Sequence, residues 1–236
     1  MKCDQYQNVF TKEFMMGPNS MRLLDEMLEK YPINRKLRVL DLGCGKGLTS
    51  LYLAKEFDAR VYGVDLWCTA TENYEQMKRW NIADQVVPIH ADAHDLPFAD
   101  NYFDAIVSID SFHYFATEDS FLETRILPLV KQGGYVYIAM PGLREEMHGK
   151  ENPLVMEWVE GEESEYELFH SIEWWKYHFN PSGQYEIVQA FELETGEQAW
   201  KDWFASGHAF AKRDGEYFEK GIDRYINIIG FLIKKL

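Results

Sequence analysis

Short apolar runs alternate with amphipathic runs along the first 141 residues of the chain. Five apolar runs predict β-strands, at residues 37–43, 59–66, 85–93, 103–110 and 135–141. Runs with helical spacing precede and separate them and predict helices at 21–30, 48–57, 71–80 and 120–131. Buried strands that alternate with helices are typical of a parallel sheet joined by right-handed crossovers. The pattern therefore predicts a doubly wound α/β sheet.

After Pro141 the pattern changes, because residues 143–167 carry nine acidic side chains against two basic ones. We interpret 142–183 as an inserted helical lid, since 42 residues are few for an independent core. Apolar runs at 184–193 and 225–236 predict two closing strands with a long connection. With 1–20 as an irregular N-terminal lid segment, residues 1–236 form one predicted domain.

Composition narrows the classes of partner. The 236 residues hold 24 basic and 39 acidic side chains, a net charge of −15, which disfavours nucleic acid as the main partner. We see neither a membrane-spanning apolar run nor a signal peptide. The three cysteines (Cys3, Cys44 and Cys68) form no CxxC pair, and no histidine spacing is typical of zinc. A cytoplasmic protein without a metal site is therefore expected.

The densest signal is a glycine-rich turn after the first predicted strand. Gly43, Gly45 and Gly47 alternate between Asp41 and a predicted helix at 48–57. Glycine is needed where a backbone runs close to a ligand or takes a positive φ. This turn is therefore a candidate ligand loop.

Acidic residues end the next two predicted strands. Asp65 follows Asp41 by 24 residues, and a carboxylate there can accept both hydrogen bonds from a ribose diol. Asp92 ends the third strand, where it could accept a bond from an adenine amino group. The three strand ends together suit an adenosine-type ligand at the carboxyl edge of the sheet.

The motifs DLGCGKG, VYGVDL and ADAHDLPF, in this order, resemble those of the class I S-adenosylmethionine-dependent methyltransferases. The resemblance covers roughly residues 21–141 and the closing strands. It implies a Rossmann-like methyltransferase fold of seven mostly parallel strands with an antiparallel last strand. It also implies S-adenosylmethionine as cofactor, S-adenosylhomocysteine as product, and a small-molecule acceptor.

The resemblance assigns expected roles to the loop and to the two acidic strand ends. Asp41 would help to hold the cofactor's amino group, usually through water, while Gly43, Cys44 and Gly45 cradle its methionine part. Asp65 would bind the ribose hydroxyls. The remaining adenine contacts would come from the side chains of Leu66 and Asp92 and from the backbone of Ala93.

The end of the fourth strand would face the methionine moiety and the acceptor. Ile109 and Asp110 lie there, and Asp110 is expected to bind the cofactor or the acceptor. His113, three residues further on, is the predicted catalytic residue, with a purely structural histidine as the alternative. A sulfonium already activates its methyl group, so a base is needed only for a protonated acceptor.

Within the family the chain resembles the small-molecule branch that includes ubiquinone-biosynthesis and cyclopropane-fatty-acid-synthase-like enzymes. The latter carry Phe-Glu-His where this chain has Phe112, His113 and Tyr114, so lipid cyclopropanation is not expected. The aromatic residues Trp174, Trp175 and Tyr177 could wall an acceptor pocket or pack in the core. Two other functions stay open: a nicotinamide-dependent oxidoreductase, and a module that binds the cofactor without catalysis.

Overall fold

A seven-stranded sheet forms the centre of the structure, a computed structural model that describes residues 1–160, 163–179 and 183–236. The strands in this part of the chain are β1 (Arg38–Leu42), β2 (Arg60–Asp65), β3 (Val86–His90), β4 (Phe103–Ile109), β5 (Val130–Leu143), β6 (Tyr185–Glu192) and β7 (Ile226–Lys235). Their spatial order is β3-β2-β1-β4-β5-β7-β6.

The first five strands run parallel, and β7 runs antiparallel to both of its neighbours, β5 and β6. The parallel strands β1 and β4 pair with Leu40 opposite Ile106, so their carboxyl ends meet at one edge. This arrangement confirms the predicted doubly wound, mostly parallel α/β sheet with an antiparallel last strand.

Helices cover the sheet and connect its strands. They are α1 (Ser20–Lys30), α2 (Leu48–Phe57), α3 (Ala70–Arg79), α4 (Pro153–Trp158), α5 (Glu163–Tyr166), α6 (Ile172–Phe179), α7 (Gly196–Ala205) and α8 (Ala209–Glu219). Local sequence explains two of the helix starts. The side chain of Asn19 accepts a hydrogen bond from the Arg22 N–H at the start of α1, and Thr69 forms a capping box with Glu72 at the start of α3. No helix among the described residues has the length and apolar character that a membrane span requires.

Alternate residues of the central strands are buried in two separate cores, one on each face of the sheet. In β1, Val39 belongs to the core under α1 and α2, whereas Leu40 belongs to the core of the opposite face. In β4, Val107 belongs to the first of these cores and Ile106 to the second. The central strands are therefore buried on both faces, as the apolar runs predicted.

Three segments differ from the sequence-based expectations. Residues 120–131 form no regular α-helix, because the π-helical turn Leu122–Ile126 passes into the 3-10 turn Leu127–Leu129 at Pro128, which has no N–H to donate. β5 starts at Val130, before the predicted 135–141, and its register with β4 shifts at the start of the pairing. The N-terminal residues Lys2–Val9, expected to be irregular, form a 3-10 helix.

The segment after β5 is helical in its described parts, with α4, α5 and α6 within 142–183. The expected closing strands are present, but α7 and α8 lie between them. Helix α7 buries Ala199, Trp200 and Trp203 on one face, a spacing that gives the helix its apolar stripe.

Candidate cofactor and acceptor site

A cavity of about 310 Å³ opens at the carboxyl ends of the parallel strands. The loops after β1, β2, β3 and β4 supply one side, and the segment that precedes α1 supplies the other. The lining residues are 14–18, 20, 42–46, 48–49, 64–67, 91–94, 109–111 and 114–115. This is the position in which open α/β sheets bind their ligands.

The glycine loop lies against the end of β4. Gly43, Gly45 and Gly47 all have positive φ values, of 72°, 52° and 86°. A Cβ atom on Gly43 would lie 2.3 Å from the Ser111 Oγ, so the close approach of the two chains also requires glycine there. Gly43, Cys44 and Gly45 all line the cavity, and the Cys44 side chain is buried.

Asp41 lies beneath this loop and outside the cavity lining. Its Oδ2 accepts hydrogen bonds from the Thr49 hydroxyl (2.7 Å) and the Ser50 hydroxyl (2.6 Å). Its Oδ1 is buried and has no partner among the described residues. Burial raises the pKa of Asp41 to about 6. One acceptor oxygen therefore remains for a water or a ligand at the base of the loop.

Asp65 lines the cavity at the end of β2 and organises the surrounding backbone. Its Oδ2 accepts from the Gly45 N–H, and its Oδ1 accepts from the N–H groups of Trp67 and Cys68, each at 2.8 Å. Leu66 is half-exposed and also lines the cavity. Three N–H groups therefore occupy three of the about four lone-pair positions of the carboxylate, and the remaining position, on Oδ2, can face a ligand.

Asp92 and Ala93 line the cavity at the end of β3. The Asp92 Oδ1 accepts hydrogen bonds from the His94 backbone N–H (2.9 Å) and pairs with the His94 Nδ1 (2.6 Å). Both bonds lower the pKa of Asp92, and the bond from the backbone N–H has the larger effect, so this exposed carboxyl is ionised at neutral pH. The neighbouring Ala93 is buried.

Asp110 lies at the end of β4 in the left-handed region, with a φ of 58°, and lines the cavity beside Ile109. A Cβ atom on Gly17 would lie 2.1 Å from the Asp110 Oδ2, so a larger residue at this position would require the Asp110 side chain to move. Burial, and then the charge of Asp214, raise the pKa of Asp110 well above its ordinary value.

His113 lies behind the wall of the cavity and does not belong to its lining. Its ring packs against those of Tyr114 (4.2 Å between centroids) and Phe169 (5.5 Å), and its Nδ1 has no partner among the described residues. Burial lowers the pKa of His113 to about 3, so the imidazole is neutral at working pH. Its catalytic role therefore stays a prediction.

Sequence reasoning missed most of the aromatic rim. Trp67 and Tyr114 meet edge to face, with ring centroids 5.2 Å apart, and both are exposed at the cavity. Neither has a motif that could have singled it out, although each follows the end of a strand. Of the candidate lid aromatics, Trp175 is fully buried and Tyr177 is exposed, and neither lines the cavity.

The fold and the cavity define a doubly wound α/β protein with a cavity at the carboxyl edge of its sheet. Residues 40–138 match the family model described as a methyltransferase domain. Over these residues the chain is similar to the class I S-adenosylmethionine-dependent methyltransferases.

Particular relatives show the same similarity. The chain is similar to a fatty-acid O-methyltransferase of Mycolicibacterium smegmatis, at 39% identity over 99 residues, 42% of this chain and 35% of that protein. The chain spans between a third and a half of the length of such curated relatives.

Two solved structures share the fold. The geranyl diphosphate C-methyltransferase of Streptomyces coelicolor A3(2) has a TM-score of 0.70 at 17% identity, over 91% of this chain and 79% of that one. The phosphoethanolamine N-methyltransferase 2 of Haemonchus contortus has a TM-score of 0.72 at 22% identity, over 94% of this chain and 54% of that one.

Proposed function

We propose that the protein transfers a methyl group from S-adenosylmethionine to a nucleophilic atom of a small-molecule acceptor. The observation that carries this proposal is the single cavity into which the glycine loop, Asp65, Asp92 and Asp110 converge. The match of residues 40–138 to a methyltransferase domain supports it, and so do similar proteins that are named as methyltransferases of small molecules.

The residues present fit an adenosyl sulfonium ligand. Asp65 would hold the ribose hydroxyls, with a hydrogen bond at the free position on its Oδ2, and Leu66 would lie against the adenine. Asp92 would accept a bond from the adenine amino group beside the Ala93 backbone. Because Asp92 is ionised and exposed, it can take that bond while it remains bound to His94.

The methionine end of the cofactor would lie between the glycine loop and β4. The unpartnered Oδ1 of Asp41 supports a water-mediated contact to the cofactor's amino group. Gly43, Cys44 and Gly45 would let the chain pass close to the ligand, while Asp110 would face the end from which the acceptor enters. Even without Asp110, whose pKa burial raises, two lining carboxylates against one lysine, Lys46, favour this cationic ligand over the pyrophosphate of a nicotinamide dinucleotide.

The sulfonium supplies an activated methyl group when it is bound, so this chain's own residues mainly position the acceptor. Alignment of reacting groups is worth up to about 7–11 kcal/mol of barrier. The segment Phe14–Pro18 supports a covering role, because its residues line the cavity opposite the strand ends. Tyr114 and Trp67 would border the acceptor entrance.

His113 would act as a base only if an acceptor reached its unpartnered Nδ1. The lid segment 142–183 borders this region, since Phe169 packs on His113 and the Trp158 Nε1 donates to Asp214 at 2.9 Å. The three free cysteines suit a reducing compartment, which supports a cytoplasmic location.

The activity test measures release of S-adenosylhomocysteine when the purified protein is supplied with S-adenosylmethionine and a panel of small carboxylic acids, alcohols, amines and thiols. We expect release that requires one acceptor class and disappears in Asp65→Ala. Binding of S-adenosylmethionine without release on any acceptor would favour the non-catalytic binding module.

A further inference from the structure

A histidine–carboxylate cluster lies outside the cavity, where β5 ends and the segment before α6 returns to the sheet. Its members are Glu146, His148 and His170, each with one possible ligand atom, and these atoms lie within 4.8 Å of one another. We propose that this cluster binds a divalent transition-metal ion of the Zn²⁺ type.

The Nδ1 atoms of the two histidines both lie near the same oxygen of Glu146. The Nδ1 of His148 is in direct contact with the Glu146 Oε1, and the Nδ1 of His170 lies 3.4 Å from the same oxygen. Tetrahedral zinc with bonds of about 2.0–2.1 Å separates its ligand atoms by about 3.4 Å. The His170–Glu146 pair already has this spacing, so a small outward movement of the His148 ring would complete the site.

Neighbouring groups fix the orientation of the Glu146 carboxylate and of the His170 ring. The Ser171 backbone N–H and hydroxyl both donate to the Glu146 Oε2 at 3.2 Å, which turns Oε1 towards the two imidazoles. The His170 ring stacks on Trp174 with centroids 3.4 Å apart and on His148 with centroids 4.4 Å apart. Such outer contacts fix the ring planes of metal ligands.

A second carboxylate lies behind one of the imidazoles. The Nε2 of His148 is buried without a hydrogen-bond partner and lies 3.6 Å from the Glu167 Oε2, the position of a carboxylate that supports a metal-bound histidine.

Two imidazole nitrogens and one carboxylate oxygen are the donors that zinc and its neighbours prefer, whereas magnesium and calcium prefer oxygen alone. Three protein ligands leave a further position for water. The ion would connect the end of β5 to the start of α6, which the Leu143–Ser171 bridge and the Leu143 N–H to His170 carbonyl bond (3.1 Å) already hold together. It would therefore link the two ends of the chain segment that contains α4 and α5.

The test titrates the full chain, stripped of metal with a chelator, with ZnCl₂ in a calorimeter, and records the visible spectrum with CoCl₂. We expect one equivalent of Zn²⁺ to bind, a cobalt band typical of nitrogen and oxygen ligands, and a Zn²⁺-dependent rise in Tm. None of these readouts depends on the cofactor or on activity.

The informative variant is His148→Ala, because this ring is less buried than His170 and its loss spares the core. The matched control is His94→Ala, since His94 also pairs through Nδ1 with an acid two residues earlier, Asp92. We expect His148→Ala to weaken Zn²⁺ binding at least about tenfold, the smallest effect typical even of outer-shell changes. His94→Ala should bind as the wild type does.

Glu146→Gln keeps the acceptor for Ser171 but removes the charge, and it should weaken Zn²⁺ binding as well. The proposal is overturned if the wild type binds no Zn²⁺ below millimolar concentrations. Equal affinity of His148→Ala and wild type overturns it too, as does a loss in His94→Ala as large as that in His148→Ala.

Discussion

Substitution of Asp65 by alanine is the sharpest perturbation of the proposed cofactor site. The side chain lines the cavity and would hold both ribose hydroxyls of S-adenosylmethionine. It also accepts three backbone N–H bonds of 2.8 Å, from Gly45, Trp67 and Cys68. Asp65→Ala therefore acts on the ligand and on the shape of the loops around it.

The expected loss follows from the hydrogen bonds that disappear. A hydrogen bond to a charged group contributes about 1.5–3 kcal/mol, and the Oδ2 of Asp65 has one free position for such a bond to the ribose. At about 1.4 kcal/mol per factor of ten, the Kd should rise by roughly 10 to 10². The freed N–H groups lie at a cavity edge that water can reach, so the free energy of unfolding should fall by only about 1–3 kcal/mol.

Calorimetric titration with S-adenosylhomocysteine measures the Kd without turnover, and circular dichroism checks that the variant is folded. The control is Asp100→Ala, which removes an exposed acid in the loop that precedes β4, away from the cavity lining. A folded Asp65→Ala that binds within about threefold of wild type would refute the assignment of the ribose to Asp65.

Three further perturbations test other parts of the account. Burial raises the pKa of Asp41 from 3.8 to about 6, so the folded state binds this proton more tightly than the unfolded state does. As the pH rises from about 4 to about 6, ionisation of Asp41 therefore lowers the free energy of unfolding by about 3 kcal/mol. In urea unfolding, Asp41→Asn should therefore gain up to about 3 kcal/mol relative to wild type between pH 4 and pH 7; a constant difference would contradict the buried-carboxyl argument. His113→Ala should leave the Kd for S-adenosylmethionine unchanged within about twofold and slow turnover, and full turnover would remove His113 from the catalytic residues. Gly43→Ala places a Cβ 2.3 Å from the Ser111 Oγ at a residue with a positive φ, and the backbone strain alone costs roughly 1–2 kcal/mol. The Tm and the cofactor affinity of this variant should both fall. Wild-type values for both would contradict the requirement for glycine at this position.

The sheet could be predicted because its signals are local. Each central strand is a short apolar run followed by a helix start, and Gly43, Asp65 and Asp92 end three of these runs. Since carboxyl ends of parallel strands meet at one edge, their convergence on a cavity followed from the order of elements alone.

The remaining features depend on contacts between distant residues. No local pattern indicates that Gly17 passes against Asp110, or that Asp214 accepts bonds from two indole groups, those of Trp158 and Trp203. The predicted helix at 120–131 forms as π and 3-10 turns rather than as a regular α-helix for a local reason, because Pro128 interrupts it.

The His148–His170 cluster shows the same limitation. Its two histidines are separated by helices α4 and α5, so their spacing matches no familiar metal motif. Only the return of the chain beside β5 brings Glu146 to both rings. The Glu-x-His pair at 146–148 was the one local signal that could have drawn attention to it.

Isothermal titration of the wild-type protein with S-adenosylmethionine, S-adenosylhomocysteine and NADH tests the central claim most directly. We predict that the protein binds about one equivalent of each adenosyl ligand and that addition of NADH releases no heat of binding. A folded protein that binds neither adenosyl ligand, or that binds NADH instead, would contradict it.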